Sequence, residues 1–153
     1  MITRQADYAV RSVLDLALRR PDHSAFSRDI ADRQRIPPSF LAKILTRLAA
    51  HGIVQTQRGV NGGVRLARPA SEITVLEVVE AIDGPISLNL CIRVPGLCPQ
   101  EMDCVVHPLW EQVGEELRGR LKAITFARLV ESAENQNQML TLPQARDASE
   151  AAA

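Results

Sequence analysis

Two adjacent prolines, Pro37 and Pro38, divide a front half that is otherwise patterned for helix. Proline lacks a backbone N–H and disfavours helical backbone in the residue before it. A chain can turn at such a pair or start a helix on its second member, but it cannot run a helix through both. Before the pair, residues 5–20 place Tyr8, Val10, Val13, Leu14, Leu16 and Leu18 near helical spacing, and Pro21 predicts the end of that helix. Ser27 is the expected N-cap of a short helix reaching about Gln34, with Ile30 and Ala31 turned inward. After the pair, a third helix is predicted from about Ser39 to Ala50, with Phe40, Leu41, Ile44 and Leu48 as its apolar stripe and Gly52 as its stop.

The next stretch, IVQTQRGVNGGVRLA, sets two short strand-like runs around Asn61-Gly62-Gly63, a strong hairpin signal. No Lys-Ser or Lys-Thr follows these glycines and no helix starts there, which argues against a phosphate-binding P-loop. Helix, helix, turn, helix and hairpin is the order of a winged helix-turn-helix, whose third helix enters the DNA major groove. The predicted fold is therefore mainly α, with the hairpin as wing. Ser39, Ala42, Lys43 and Arg47 are the expected groove-facing positions of the third helix. Arg58, Gly59, Asn61, Gly62 and Arg65 are the expected DNA contacts of the wing. The charge distribution agrees. Residues 1–70 hold twelve Arg or Lys and five Asp or Glu, giving +7, and residues 71–153 hold six and thirteen, giving −7. A basic front half suits a phosphate-rich partner.

Behind the wing, a short helix is predicted over Thr74–Ile82, broken by Asp83-Gly84-Pro85. A loop follows in which Pro95, Gly96 and Pro99 speak against regular structure. A longer helix should begin at His107 or Pro108, with Leu109, Val113, Leu117, Leu121 and Ile124 as a seam suited either to a two-fold dimer contact or to packing within the chain. Thr125 could cap a last helix over Phe126–Glu134, and residues 135–153 have the composition of a disordered tail. The start of the chain lacks a long apolar stretch, and no run approaches the ~18 apolar residues of a membrane span. A cytoplasmic location with reduced thiols is expected.

All three cysteines fall between Cys91 and Cys104, spaced Cys91-x6-Cys98-x5-Cys104, with His107 three residues on. An odd number fits a disulfide framework poorly. Three thiolates and an imidazole can hold zinc, and thiolates with one histidine can hold an iron–sulfur cluster. A redox thiol pair with one cysteine spare, or three unconnected cysteines, also fits the spacing. No nucleophile–base set or cofactor fingerprint suggests an enzyme, although Cys104 and His107 could in principle form a thiol–imidazole pair.

Several of these stretches together resemble the Rrf-type bacterial regulators. The matching pieces are DYAVR, the Ile30–Ile36 helix and turn, FLAKIL with RLAAHGIV, RGVNGGVRLARPASEIT, EVVEAIDG, the three cysteines and ITFARLVE, spanning Ile2 to about Glu134. The resemblance implies a homodimer joined through the long late helix, bound to a near-palindromic operator in double-stranded DNA. It implies a [2Fe-2S] or [4Fe-4S] cluster on Cys91, Cys98 and Cys104, and a regulator, expected to be a repressor, that senses iron, redox state or nitric oxide. In IscR-like members the fourth ligand is a histidine at the position of His107. In NsrR-like members it is an acid of the partner's first helix, at the position of Asp7. Ala42 stands where IscR-like members have an acid, and the first two cysteines are one residue further apart. A structural zinc or a metal-free thiol switch in the same loop remains the alternative. The implied organisation is a DNA-binding domain over residues 1–70, a loop and dimerisation helix over 71–134, and the tail.

Overall fold

The computed structural model of the protein describes residues 2–19, 24–57 and 62–135. They form α1 (Arg4–Ala17), α2 (Ser27–Gln34), α3 (Pro38–Ala50), the strands β1 (Val54–Gln57) and β2 (Gly63–Leu66), then α4 (Val75–Asp83), α5 (Leu90–Arg93), α6 (His107–Lys122) and α7 (Phe126–Glu134), with 3-10 turns at Ala70–Glu72 and Glu101–Asp103. This is the expected mainly helical winged helix-turn-helix followed by a long late helix. Pro21, Arg58, Gly59, Asn61 and all of the tail beyond Asn135 lie outside the described residues.

The first helix is shorter than predicted. Thr3 caps it by accepting from Ala6 N (3.2 Å), and it ends at Ala17. A helix running on to Pro21 would set the proline ring against the carbonyl of Ala17. Ser27 is not the cap of α2; it is the first helical residue, and Phe26 is the cap without a side-chain bond. The cause lies one residue earlier. Ala25 exchanges both backbone hydrogen bonds with Val64 of β2, at 2.9 and 2.8 Å, so the chain is still extended there and turns helical only after Phe26.

The wing pairs β1 with β2 antiparallel, from Val54 opposite Leu66 to Gln57 opposite Gly63. Gly63 lies so close to the Ser24–Ala25 segment that a Cβ would sit 2.9 Å from the Ser24 side chain and 3.0 Å from the Ala25 carbonyl. Glycine is therefore required for the wing to dock against the entry to α2. Gly52 follows α3 with φ +66, the left-handed stop that its position suggested.

One hydrophobic core spans both sides of residue 70. Ala6, Ala9, Val13, Ile30, Leu41, Ile44, Leu48 and Val64 share it with Ile73, Val78, Val79 and Phe126. The face of α3 is rotated from the predicted stripe: Leu45 is buried, whereas Phe40 is 43% exposed. On α1 the buried line is Ala6, Ala9, Ser12, Val13, Asp15 and Leu16. Leu18, expected in the stripe, follows the helix and is exposed.

Asp15 is a charge inside this core and is 6% exposed. Arg33 of α2 grips both its oxygens (2.9 and 2.8 Å), and Gln34 Nε2 donates to it at 3.1 Å. Arg11 also donates to the Gln34 carbonyl. Burial raises the Asp15 pKa, but the bonds from Arg33 and Gln34 and the charges of Arg33 and Arg19 outweigh it, holding the carboxyl below its ordinary value. A depressed carboxyl contributes stability above its unfolded pKa of about 4, and that stability is lost as pH falls through the lower folded value. Thermal melts of Asp15→Asn should therefore show a deficit at pH 7 that narrows toward pH 3. The deficit should be about 1.5–3 kcal/mol, the range for a hydrogen bond to a charged group, because Arg33 can rehydrate when released.

Candidate nucleic-acid interface and cysteine loop

The outward side of α3 is built by elimination. Leu41, Ile44, Leu45 and Leu48 are buried, which leaves Ser39, Ala42, Lys43, Thr46 and Arg47 among the exposed residues of the helix. Pro38 at the first position starts the helix where its missing N–H costs nothing. On the wing, Arg65 is exposed beside Gln55, to which its guanidinium donates at 3.3 Å, and Gly62 is buried. Ser39, Ala42, Lys43 and Arg65 thus stand on the free surface of the two elements that a winged helix offers to DNA.

Arg47 is placed differently. Its Nη1 donates to the carbonyl of Ile82 in the last turn of α4, at 2.7 Å. Asp83, the final residue of α4, accepts from Thr3 twice, from its N–H (2.8 Å) and its hydroxyl (2.6 Å). Gly84 then turns the chain out at φ +77, and Ile86 N donates to Glu80 Oε1 at 3.2 Å. Sequence patterning missed the Arg47–Ile82 and Thr3–Asp83 ties because their partners are 35 and 80 residues apart along the chain. The one local hint is Asp83, an acid at the helix end where negative charge is disfavoured.

The loop that leaves α4 is not wholly irregular, contrary to expectation. Cys91 lies in α5, and the 3-10 turn Glu101–Asp103 directly precedes Cys104. Pro95 and Pro99 fall between these two turns, so they end regular structure without preventing it. Glu101 closes the middle of the loop, accepting from Gly96 N at 2.6 Å. With the Asn89 amide set to satisfy its neighbours, its oxygen accepts from Trp110 Nε1 at 2.9 Å, joining the start of α5 to α6.

Cys91, Cys98 and Cys104 are all free thiols of intermediate burial. Cys104 and His107 are one turn apart, and the His107 N–H donates to the Cys104 carbonyl at 3.2 Å. The imidazole Nδ1 of His107 is buried and has no hydrogen-bond partner. Unpartnered buried polar atoms are few in native proteins, and a bound ion is one of their ordinary explanations. No three His, Cys, Asp or Glu side chains converge among the described residues, so the loop as folded does not gather all three thiols at one point. The donor set nevertheless fits a soft-metal or iron–sulfur site: three thiols and a shielded ring nitrogen on one tethered loop. Asp7, in the first turn of α1, is exposed and lies 3.7 Å from Arg11.

The late helix starts at His107 as predicted. Its Leu109, Trp110 and Val113 are exposed, Leu117 and Leu121 are half-buried, and Val105 just before it is 90% exposed. Ile124 is not part of that seam. It lies past the helix end, buried, with its carbonyl accepting from Val75 N at 2.9 Å. Thr125 caps α7 as expected, accepting from Arg128 N. No helix among the described residues is long and apolar enough to cross a membrane.

Comparison with known proteins agrees with this architecture. Residues 2–132 match the family model Rrf2, described as an iron-dependent transcriptional regulator. The chain is 36% identical over 133 residues to the HTH-type transcriptional regulator IscR of Klebsiella pneumoniae, covering 87% of this chain and 81% of that protein. It is 36% identical over 129 residues to IscR of Serratia proteamaculans, covering 84% and 78%. Among solved structures, T. potens IscR superposes with a TM-score of 0.73 at 23% identity, covering 92% and 93% of the two chains. CymR of B. subtilis, a global cysteine regulator, gives 0.71 at 21%, covering 86% and 96%. The chain belongs to the Rrf2 family: it is an IscR-like, DNA-binding transcriptional regulator and not an enzyme.

Proposed function

We propose that this regulator is a cytoplasmic homodimer that represses transcription in response to iron supply, redox state or nitric oxide, through an iron–sulfur cluster held on the cysteine loop. The observation that carries this reading is the buried Nδ1 of His107 at the head of α6, without a partner among the described residues, following a loop that holds three free cysteines. Cys91, Cys98 and Cys104 are the thiolate ligands and His107 the fourth. Asp7 of the partner subunit is the competing fourth ligand; in this chain it is exposed and lies 3.7 Å from Arg11. The description of the matched family as iron-dependent supports the choice of iron over zinc. Bound there, the cluster supplies a centre that iron shortage, oxidants or nitric oxide can alter. The loop residues translate its presence into the position of α6, because Cys104 and His107 share a backbone turn at the helix start.

The exposed Leu109, Trp110 and Val113 on α6 are the surface for a second copy, related by two-fold symmetry. Leu109→Glu with Val113→Glu should turn dimers into monomers in sedimentation equilibrium; dimers unchanged by both substitutions would move the contact elsewhere. In such a dimer the two α3 helices face successive major grooves of a near-palindromic operator, with Ser39, Ala42 and Lys43 toward the bases. Arg65 faces the DNA backbone, and Arg58, Gly59, Asn61 and Gly62 are the further wing contacts that the sequence suggests, the first three outside the described residues. Arg65→Ala should lower the slope of log affinity against log salt by about one, the loss of one phosphate contact. An unchanged slope removes it from the contact set.

The test of the sensor is anaerobic purification with an absorbance spectrum and iron, sulfide and zinc analysis on one sample. Matched iron and sulfide support the proposal. One zinc per chain without sulfide would replace it with a structural clip. Absence of metal after reconstitution with iron and sulfide would leave a thiol switch, for which the three free, half-buried cysteines are the only requirement.

A further inference from the structure

The last turn of α4 is where three parts of the molecule meet. It ends in Ile82 and Asp83, immediately before the chain leaves for the cysteine loop. A helix end presents up to four carbonyls without partners and carries partial negative charge. The last turn of α4 contains no basic residue, and it ends on an acid. Both deficits are met from outside. Arg47 of α3 brings a guanidinium to the Ile82 carbonyl at 2.7 Å, across a separation of 35 residues. Thr3, the cap of α1, holds the Asp83 carboxylate through its N–H and its hydroxyl. One turn earlier, Glu80 accepts from Ile86 N and lies 3.7 Å from Arg118 of α6. Beside this junction, residues including Ile2, Val79, Pro85, Ile86 and Leu117 line a cavity of about 220 Å³, so the junction is not packed solid on the loop side.

We infer that Arg47 is a positioning residue and not a DNA contact: it ties the groove-facing helix to the α4 end from which the cysteine loop departs. Lys43 and Arg47 lie one turn apart on α3 and differ in what they touch. Both are exposed, but the Arg47 guanidinium donates to the Ile82 carbonyl of α4, whereas Lys43 makes no hydrogen bond or ion pair among the described residues. A shift of the loop that moved Ile82 would therefore move α3 through a charge-assisted bond. By linkage, DNA held on α3 must act back on the junction with the same free energy. The sensing role of the loop rests on the function proposed above; the reciprocal effect of DNA on the junction does not.

The experiment uses the full chain and a duplex selected by the wild-type protein from a random pool. Two quantities are read: the salt slope of affinity, and amide hydrogen exchange over residues 82–88 with and without the duplex. In the wild type the duplex should slow exchange at Gly84 and Ile86. Arg47→Gln removes the charge that a phosphate would need, and it should leave the salt slope unchanged while abolishing that slowing. Arg47→Lys, which keeps one long donor, should restore part of it. In protein carrying iron and sulfide, Arg47→Gln should also bring the ratio of cluster-loaded to metal-free affinity toward one. A slope lowered by about one with the exchange response intact would make Arg47 a phosphate contact and overturn the inference. So would a wild type whose junction exchange ignores DNA, a result that needs no variant to fold. A chain that takes up no iron–sulfur sinks the sensor reading alone, and the exchange data still decide the role of Arg47.

Discussion

Replacing Phe126 by alanine is expected to destabilise the protein by about 3–5 kcal/mol, the range for truncating a fully buried aromatic, and to lower Tm by on the order of 10 °C. Phe126 is the largest of the fully buried side chains and is completely inaccessible. It opens α7, and its N–H donates to the Ile73 carbonyl at 3.0 Å, while Val75 N donates to the Ile124 carbonyl at 2.9 Å. These two bonds and the bridge between Thr74 and Thr125 bring the chain back, after the whole length of α6, against the start of α4. The end of the late helix is therefore pinned to the core that carries α1 and α3, while its beginning carries His107. The substitution should also reach beyond stability. With the pin loosened, α6 can move without moving the DNA-binding elements, so operator affinity should respond less to the state of the loop. Denaturant unfolding followed by tryptophan fluorescence would measure the first effect, because Trp110 is the single tryptophan. A loss below 1 kcal/mol would mean that α7 does not anchor the late helix.

The order of elements was legible in the sequence because local chemistry writes it. Pro37-Pro38 marks the turn, the glycines mark the hairpin, and the caps Thr125 and Gly52 stand where they act. The direction in which each face points was less legible. Phe40 is large and apolar and falls at helical spacing, yet it is exposed, while the small residues Ala6, Ala9 and Ser12 occupy the tight contact of α1. Hydrophobicity reports what a side chain gains from burial; it does not report how close two helices must come, which small residues permit. The charged core group Asp15 was illegible for a related reason, since its partner Arg33 lies 18 residues away. Arg47 was expected among the groove-facing cations of α3 and is exposed, but it donates to the backbone oxygen of a residue that no pattern connects to it. For the cysteine loop, spacing grouped the three cysteines and His107 as candidate donors. It could not give their approach to one another, because the two short turns that set it hang on Asn89, Glu101 and Trp110.

Substituting any one of Cys91, Cys98 and Cys104 by alanine is expected to remove all bound iron and sulfide while leaving the fold in place. None of the three belongs to the hydrophobic core and each is only half-buried, so the metal-free variants should melt within about 0.5 kcal/mol of the metal-free wild type. A structural zinc site would behave otherwise, because its binding free energy is folding free energy and its loss would unfold the loop. His107→Ala is the more informative change. If its shielded Nδ1 is the fourth donor, the variant should retain three thiolates, lose iron on gel filtration, and show an altered charge-transfer spectrum, whereas Asp7→Asn should leave both as in the wild type. The reverse pattern would assign the ligand to Asp7 of the partner, and would make the cluster a bridge between the head of one subunit and the loop of the other. The signal would then act directly on α1. With His107 as ligand it can instead pass through the loop to the α4 end and Arg47, and along α6 to the Ile73–Phe126 junction. Only that second route makes operator response sensitive to Arg47→Gln and Phe126→Ala together, so the three measurements constrain one another.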